Sequence, residues 1–188
     1  TATTEKVTAK IKADTATKLA ADLADAQVNA LDVTVNGTTA TATELSTIKN
    51  STSSKVKVDA DEITGTFAQV NAIYVTDKAR FTALGNENVK ITASALDSAL
   101  NVDTILKATT GKVTATVDGA KANILVSQLK NANAKDDLTI TVLTDANGTS
   151  AKDLIALTKK TNLPVVATNI VAEGIVGSVA DINAVIKA

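Results

Sequence analysis

Apolar residues alternate with polar ones in seven short stretches: Val7-Ala9-Ile11, Leu31-Val33-Val35, Val56-Val58, Val89-Ile91-Ala93, Val113-Ala115-Val117, Leu138-Ile140-Val142 and a looser run over 165–170. The positions between them are mostly Thr, Lys or Asp, among them Thr8, Lys10, Asp32, Thr34, Lys57, Lys90, Thr114, Thr116, Thr139 and Thr141. A period of two with one apolar side predicts strands half-buried on a sheet. Between these stretches the apolar spacing lengthens to three and four, at Leu19-Leu23, Leu45-Ile48, Val102-Ile105-Leu106, Leu125-Leu129, Leu154-Leu157 and Val179-Ile182-Ile186. Each predicts a short helix that buries one stripe and persists only when packed. Thr43, Ser150 and Ser178 stand before such runs as N-caps.

With Val7, Val33, Val56, Val89, Val113, Leu138 and Val165 as markers, the steps are 26, 23, 33, 24, 25 and 27 residues. Such a recurrence predicts an α/β fold of repeated strand–short-helix units, about 25 residues each, in a solenoid-like stack. Residues 1–188 then form a single repeat domain or one segment of a longer array. The 33-residue step is expected to carry an insertion or an extra strand at Ile73-Tyr74-Val75. Asn36-Gly37 and Asp118-Gly119 are hairpin signals, and they support a rival, an antiparallel β-sandwich with a few helices. After Gly119, however, Ile124-Leu125-Val126 run contiguously, which suits a helix better than a returning half-buried strand.

Composition limits the core and the chemistry. There are 33 Ala and 30 Thr but only two Phe, one Tyr and no Trp, Met, Cys or His. A core of Val, Ile, Leu and Ala suits thin, regular layers. Without Cys there is no disulfide framework, and without Cys and His the usual zinc ligands are missing. The 19 basic and 20 acidic residues are scattered, so no patch suited to nucleic acid is expected. The apolar stretch 170–186 is interrupted by Glu173 and Asp181 and does not read as a membrane span. The chain opens at Thr1 rather than Met, which reads as processed or excised.

Acid–base chemistry would fall to Asp, Glu, Lys and the one tyrosine. Asp59, Asp61 and Glu62 read either as an acidic cluster or as a solvated turn after a strand, and the turn is favoured; Asp136-Asp137 reads the same way. Asp145-Ala146-Asn147-Gly148 has the opening of a calcium loop but no closing Glu, so a turn before the next helix is expected. The glycines are isolated and make no phosphate-binding motif. No catalytic, cofactor-binding or metal-ligating residue is assigned, no cofactor is expected, and an enzyme is not expected. The three aromatics and the one Arg gather within 67–81. Tyr74, Arg80 and Phe81 are therefore candidates for partner contact, such as stacking on a sugar, or else bulky filling for the longer unit. The Thr-bearing strand faces suit ordered water, ice or polysaccharide, or simply a solvated sheet with Thr present for its β propensity.

The words Ile63-Thr64-Gly65-Thr66-Phe67-Ala68-Gln69-Val70-Asn71-Ala72-Ile73 resemble the TGTAAEVNAL phrases of large, repetitive, Ala/Thr/Val-rich bacterial cell-surface proteins of cyanobacterial type. Thr41-Ala42-Thr43-Glu44-Leu45 is similar to the TATAAELNxLDG phrases of phage tail fibres, and 26–31 and 180–185 echo the 68–73 word within the chain. The resemblance implies an extended, extracellular, non-catalytic building block of a surface layer, filament or adhesin. Its partners would be neighbouring repeats or further copies, met through open repeat ends or the N-terminal strand at 1–11; the alternative is a polysaccharide- or receptor-binding module.

Overall fold

Each of the seven alternating stretches supplies a strand, and each of the six helical stretches supplies a helix. The computed structural model describes residues 7–24, 27–92, 97–143, 147–168 and 174–187; the expectations that touch Ala93, Asp145, Ala146, residues 1–6 and residues 169–170 lie outside them. The chain is mixed α/β, with a mainly parallel central sheet and seven helices among the described residues. It packs as two compact units, 1–92 with 108–111, and 93–107 with 112–188.

The first unit holds β1 (Thr8–Lys10), β2 (Asp14–Thr15), α1 (Ala16–Leu23), β3 (Ala30–Thr41), α2 (Ala42–Asn50), β4 (Val56–Gly65), α3 (Phe67–Asn71), β5 (Phe81–Thr82) and β6 (Asn88–Ile91). Its ladders are parallel: Thr8 lies opposite Ala30, Val33 opposite Val56 and Glu62 opposite Asn88, advances of 22, 23 and 26 residues. The second unit holds α4 (Ala99–Ala108, less its last residue), β7 (Val113–Thr116), α5 (Ala122–Gln128), β8 (Asp137–Thr139), β9 (Thr141–Val142), β10 (Thr149–Ser150), α6 (Ala151–Thr158), β11 (Val166–Ala167), β12 (Ile175–Val176) and α7 (Val179–Lys187). There Thr114 faces Asp137, Thr141 faces Val166 and Thr149 faces Ile175, advances of 23, 25 and 26 residues, again in parallel. These ladders exclude the antiparallel sandwich.

The alternation places the core as expected. Val33, Val35, Val56, Val58, Val89, Val113, Ala115 and Leu138 are buried, while Asp32, Asn36, Lys57, Asp59, Lys90 and Thr139 are exposed on the opposite side of their strands. Helix starts recur with unexpected fidelity. Thr15, Thr41, Thr66, Ser98, Ser150 and Ser178 each accept from the backbone N–H three residues on, at 3.1–3.4 Å. After each cap comes Ala16, Ala42, Phe67, Ala99, Ala151 or Val179, and three residues later Leu19, Leu45, Val70, Val102, Leu154 or Ile182. A cap, a small or apolar first residue and an apolar fourth form one folding word, because they satisfy an orphan N–H and start the buried stripe together.

Four sequence expectations change. Asn36-Gly37 makes no hairpin: Gly37 takes a positive φ of 112° inside β3, and the ladder continues through the Gly37–Ala60 pair. Ile73-Tyr74-Val75 is not a strand but one π-helical turn, Ala72–Thr76, continuing α3 with the Asp77 N–H bonded to Ala72 C=O. Asp59, Asp61 and Glu62 sit within β4, since the buried set runs on through Ala60 to Ile63. The cap of α2 is Thr41 and not Thr43, because Thr41 and Glu44 bond reciprocally in a capping box. The echoed words also fold unequally: 68–73 and 180–185 are helical, whereas Ala30 and Leu31 of the first copy enter β3. The helical copies follow Thr66 and Ser178 caps.

Candidate functional site

The sharpest local construction is the junction where each strand begins. Thr52 is 1% exposed, and its Oγ1 accepts from Leu31 N–H (3.0 Å) and Ser54 N–H (3.0 Å) while donating to Leu31 C=O (2.8 Å). Thr161 repeats this: its Oγ1 accepts from Leu138 N–H (3.0 Å) and Leu163 N–H (3.1 Å) and donates to Leu138 C=O (2.8 Å). Buried Thr109 donates to Glu87 C=O (2.8 Å) and accepts from Gly111 N–H (2.9 Å). Asn29 Oδ1 takes Val7 N–H (2.9 Å) and fully buried Asp136 takes Val113 N–H (2.9 Å).

All five residues reach a backbone group 21–23 residues earlier, and each stands four residues before Val33, Val56, Val113, Ile140 or Val165, an apolar residue in a strand or directly before one. They tie the start of one strand to its predecessor at the point where strand pairing has not yet begun. A buried N–H there would otherwise lack a partner. Asp136 thus precedes β8 as expected, but as a buried acceptor and not a solvated charge.

The long step between β4 and β6 holds the aromatic cluster. Thr66 and Gln69 close a capping box over α3, and the helix then delivers Ile73 and Tyr74 into the core. Tyr74 is 1% exposed, and its hydroxyl donates to Glu87 Oε2 at 3.0 Å. Burial, and then the neighbouring Glu87 charge, hold the Tyr74 phenol far above its ordinary pKa, so it stays a neutral donor. Glu87 also accepts from Gly85 N–H (2.8 Å) and Asn86 N–H (3.2 Å) in a loop where Ala83 and Gly85 have φ of 60° and 125°. Phe81 is buried at 5%. Arg80 is half-buried, and its Nη2 donates to the carbonyls of Lys49 (3.3 Å), Thr52 (2.5 Å) and Ser54 (3.4 Å), just past the end of α2. Of the three residues read as a partner contact, two fill the core and the third closes a helix end. The surplus bulk fills the wider unit.

A polar cleft of about 950 Å³ lies beside this cluster in the first unit. Asp59 and Asp61 line it from the outer face of β4, Lys78 from the turn after α3, and Asn86, Glu87 and Asn88 from the loop into β6. Asp59 is held by Lys57 on its own strand at 2.6 Å. The cleft can offer carboxylate and amide hydrogen bonds to a polar ligand. Among the described residues no group of three or more Asp or Glu is placed to hold a metal ion. The Thr faces are mixed, with Thr34 beside Lys57 and Thr64 beside Lys90, so the outer surface of the first unit is a Thr–Lys–Asp mosaic and not a Thr array. Among the described residues no helix is long and apolar enough to cross a membrane.

The junction residues were missed in sequence because they lie outside the alternating stretches. The legible signal is a small polar residue four positions before a buried Val or Ile, as in Thr52-Ser53-Ser54-Lys55-Val56 and Thr109-Thr110-Gly111-Lys112-Val113. No family model matches the chain, and no curated protein or solved structure matches it.

Proposed function

We propose that the chain is a non-catalytic structural module of an extracellular bacterial surface layer, filament or adhesin, built as a solenoid-like stack of strand–helix coils. The observation that carries this reading is the register: among the described residues of both units, each strand finds a parallel neighbour 21–26 residues away. A coil of that length cannot bury its apolar face alone, so each one depends on the next. The side chains that catalysis would recruit have structural work instead: Asp136 and the junction threonines hold backbone, and Tyr74 and Glu87 hold each other. The extracellular assignment draws on the Ala- and Thr-rich composition and the surface-protein words at 63–73. Antibody raised against the chain is expected to label intact source cells or material shed from them. Labelling confined to permeabilised cells would sink the assignment.

The polar cleft favours a second reading, a module that binds polysaccharide or a receptor. Here Lys78 and Asn86, with Asp59 and Asp61 opposite, would make the contacts. A glycan array probed with the wild-type chain and with Asn86→Ala discriminates: binding lost in the variant supports this reading, and no binding by either removes it.

A further inference from the structure

The first and last coils each leave uncovered what interior coils cover. In α7, Val179, Ile182 and Val185 follow Ser178 at the steps by which Ala151, Leu154 and Leu157 follow Ser150 in α6. Ala151, Leu154 and Leu157 are buried, with α5 and α7 packed against their helix. None of the residues in α7 whose burial is described is buried, and Val179 and Ile186 are 77% and 74% exposed. Beside it an apolar groove of about 410 Å³ runs along Leu154, Leu163, Val165, Ile175 and Val185. The groove and α7 share one chemistry, that of a coil interface without its next coil.

The N-terminal coil offers the matching surface. Val7 C=O and Ile11 N–H bond to β3, so in the alternation of a strand Thr8 and Lys10 turn their N–H and C=O groups the other way. Among the described residues β1 pairs only with β3. Val7 and Val28 are exposed there, and α1 presents the half-buried Ala20 and exposed Ala21, with Ala24 exposed just past its end. At the far end, Val166 and Thr168 donate to Ile140 and Val142 C=O, so Ala167 turns its N–H outward. One end therefore offers the side of a parallel strand that the other end lacks.

We infer that the C-terminal coil of one molecule receives the N-terminal coil of a second copy, with β1 and β2 extending its sheet in parallel and α1 covering Val179 and Ile186. The inference rests on the stacked-coil reading and continues, across molecules, the interface that joins coils within each unit. A second copy is the occupant because the uncovered stripe of α7 has the spacing of an interior helix. A coil of this chain meets such a stripe at every interior step. The contact joins unlike surfaces, so it propagates head to tail and does not close on a two-fold axis.

Two variants of the full chain test it by sedimentation velocity across a range of concentrations. Lys10→Pro removes an outward N–H of β1 and leaves the β1–β3 bonds intact; Val179→Lys with Ile186→Lys charges the far end. All three positions are exposed, and circular dichroism with a thermal melt verifies that each variant folds. Wild type is expected to form an open series whose mean mass rises with concentration, and each variant alone is expected to remain monomeric. Mixed one to one, the variants are expected to stop at a heterodimer, since each keeps one competent end. A wild-type chain that stays monomeric throughout, a variant that dimerises alone, or a mixture that stays monomeric while wild type assembles would each overturn the inference. Deleting 33–55, one register step, tests the underlying reading separately: a shortened chain that still melts cooperatively upholds the stack whatever the assembly result, and an unfolded one removes it.

Discussion

Thr52→Val is the most informative perturbation of the fold, because it changes one hydroxyl to a methyl at nearly constant shape. The Oγ1 of Thr52 is the acceptor for Leu31 N–H and Ser54 N–H, both at 3.0 Å, and the donor to Leu31 C=O. Leu31 is itself buried, so its N–H would have no water to turn to. Orphaning a buried donor costs about 1–3 kcal/mol, and the half-buried Ser54 N–H adds roughly a further 0.5–1 kcal/mol. The new methyl recovers about 0.8 kcal/mol of transfer free energy. The net loss is therefore about 2 kcal/mol, which at a urea slope near 2 kcal/mol/M lowers the midpoint by about 1 M. Thr39→Val, on an exposed position of β3 in the same unit, provides the control and should stay within about 0.5 kcal/mol of wild type. Amide exchange at Leu31 localises the effect: its protection should fall in Thr52→Val and hold in Thr39→Val. Equal midpoints for the two variants, or unchanged exchange at Leu31, would refute the role assigned to the junction hydroxyl.

Three further outcomes follow from the same geometry. Tyr74 is the only tyrosine, and its folded pKa is raised, so below about pH 10 it is neutral folded or unfolded, and above that the unfolded chain alone ionises. Stability should fall as pH rises past about 10, with no phenolate absorbance before unfolding, and Tyr74→Phe should abolish this tyrosine-linked part of the alkaline loss at a cost of about 1 kcal/mol at neutral pH. Gly111→Ala would place a Cβ 2.0 Å from Glu87 C=O, which is backbone, so a loss of about 3 kcal/mol or more is expected in thermal or urea unfolding. Arg80→Lys keeps the charge but shortens the reach by which Nη2 meets the Lys49, Thr52 and Ser54 carbonyls; about 1–2 kcal/mol of stability should go, read as earlier melting of the first unit.

Most of the strand and helix pattern was legible in the chain itself, because period-two and period-three-to-four burial are written directly in Val, Ile and Leu positions. The buried strand residues Val33, Val56, Val89, Val113 and Leu138 and the helix residues Leu19, Leu45, Val102 and Leu154 are where that periodicity puts them. The caps are legible too once the first helical residue is known, since Thr15, Thr41 and Ser150 act within three residues of themselves. Local chemistry of this kind needs no distant partner.

Tertiary structure decided what depends on a partner beyond the local turn or helix. Asn36-Gly37 is a hairpin signal on local grounds, and β2 and β4 running alongside in parallel keep β3 extended through it. Tyr74 and Phe81 read in sequence either as a partner contact or as bulky filling for the longer unit, and only their burial, with Glu87 bonded to the Tyr74 hydroxyl, decides for filling. Thr52, Thr109 and Thr161 are ordinary loop threonines among 30 in the chain; burial against the preceding strand makes them ties. Sequence determined the strands and helices. The packing of each strand start against the parallel strand before it, which removes water from those backbone groups, determined which polar residues matter.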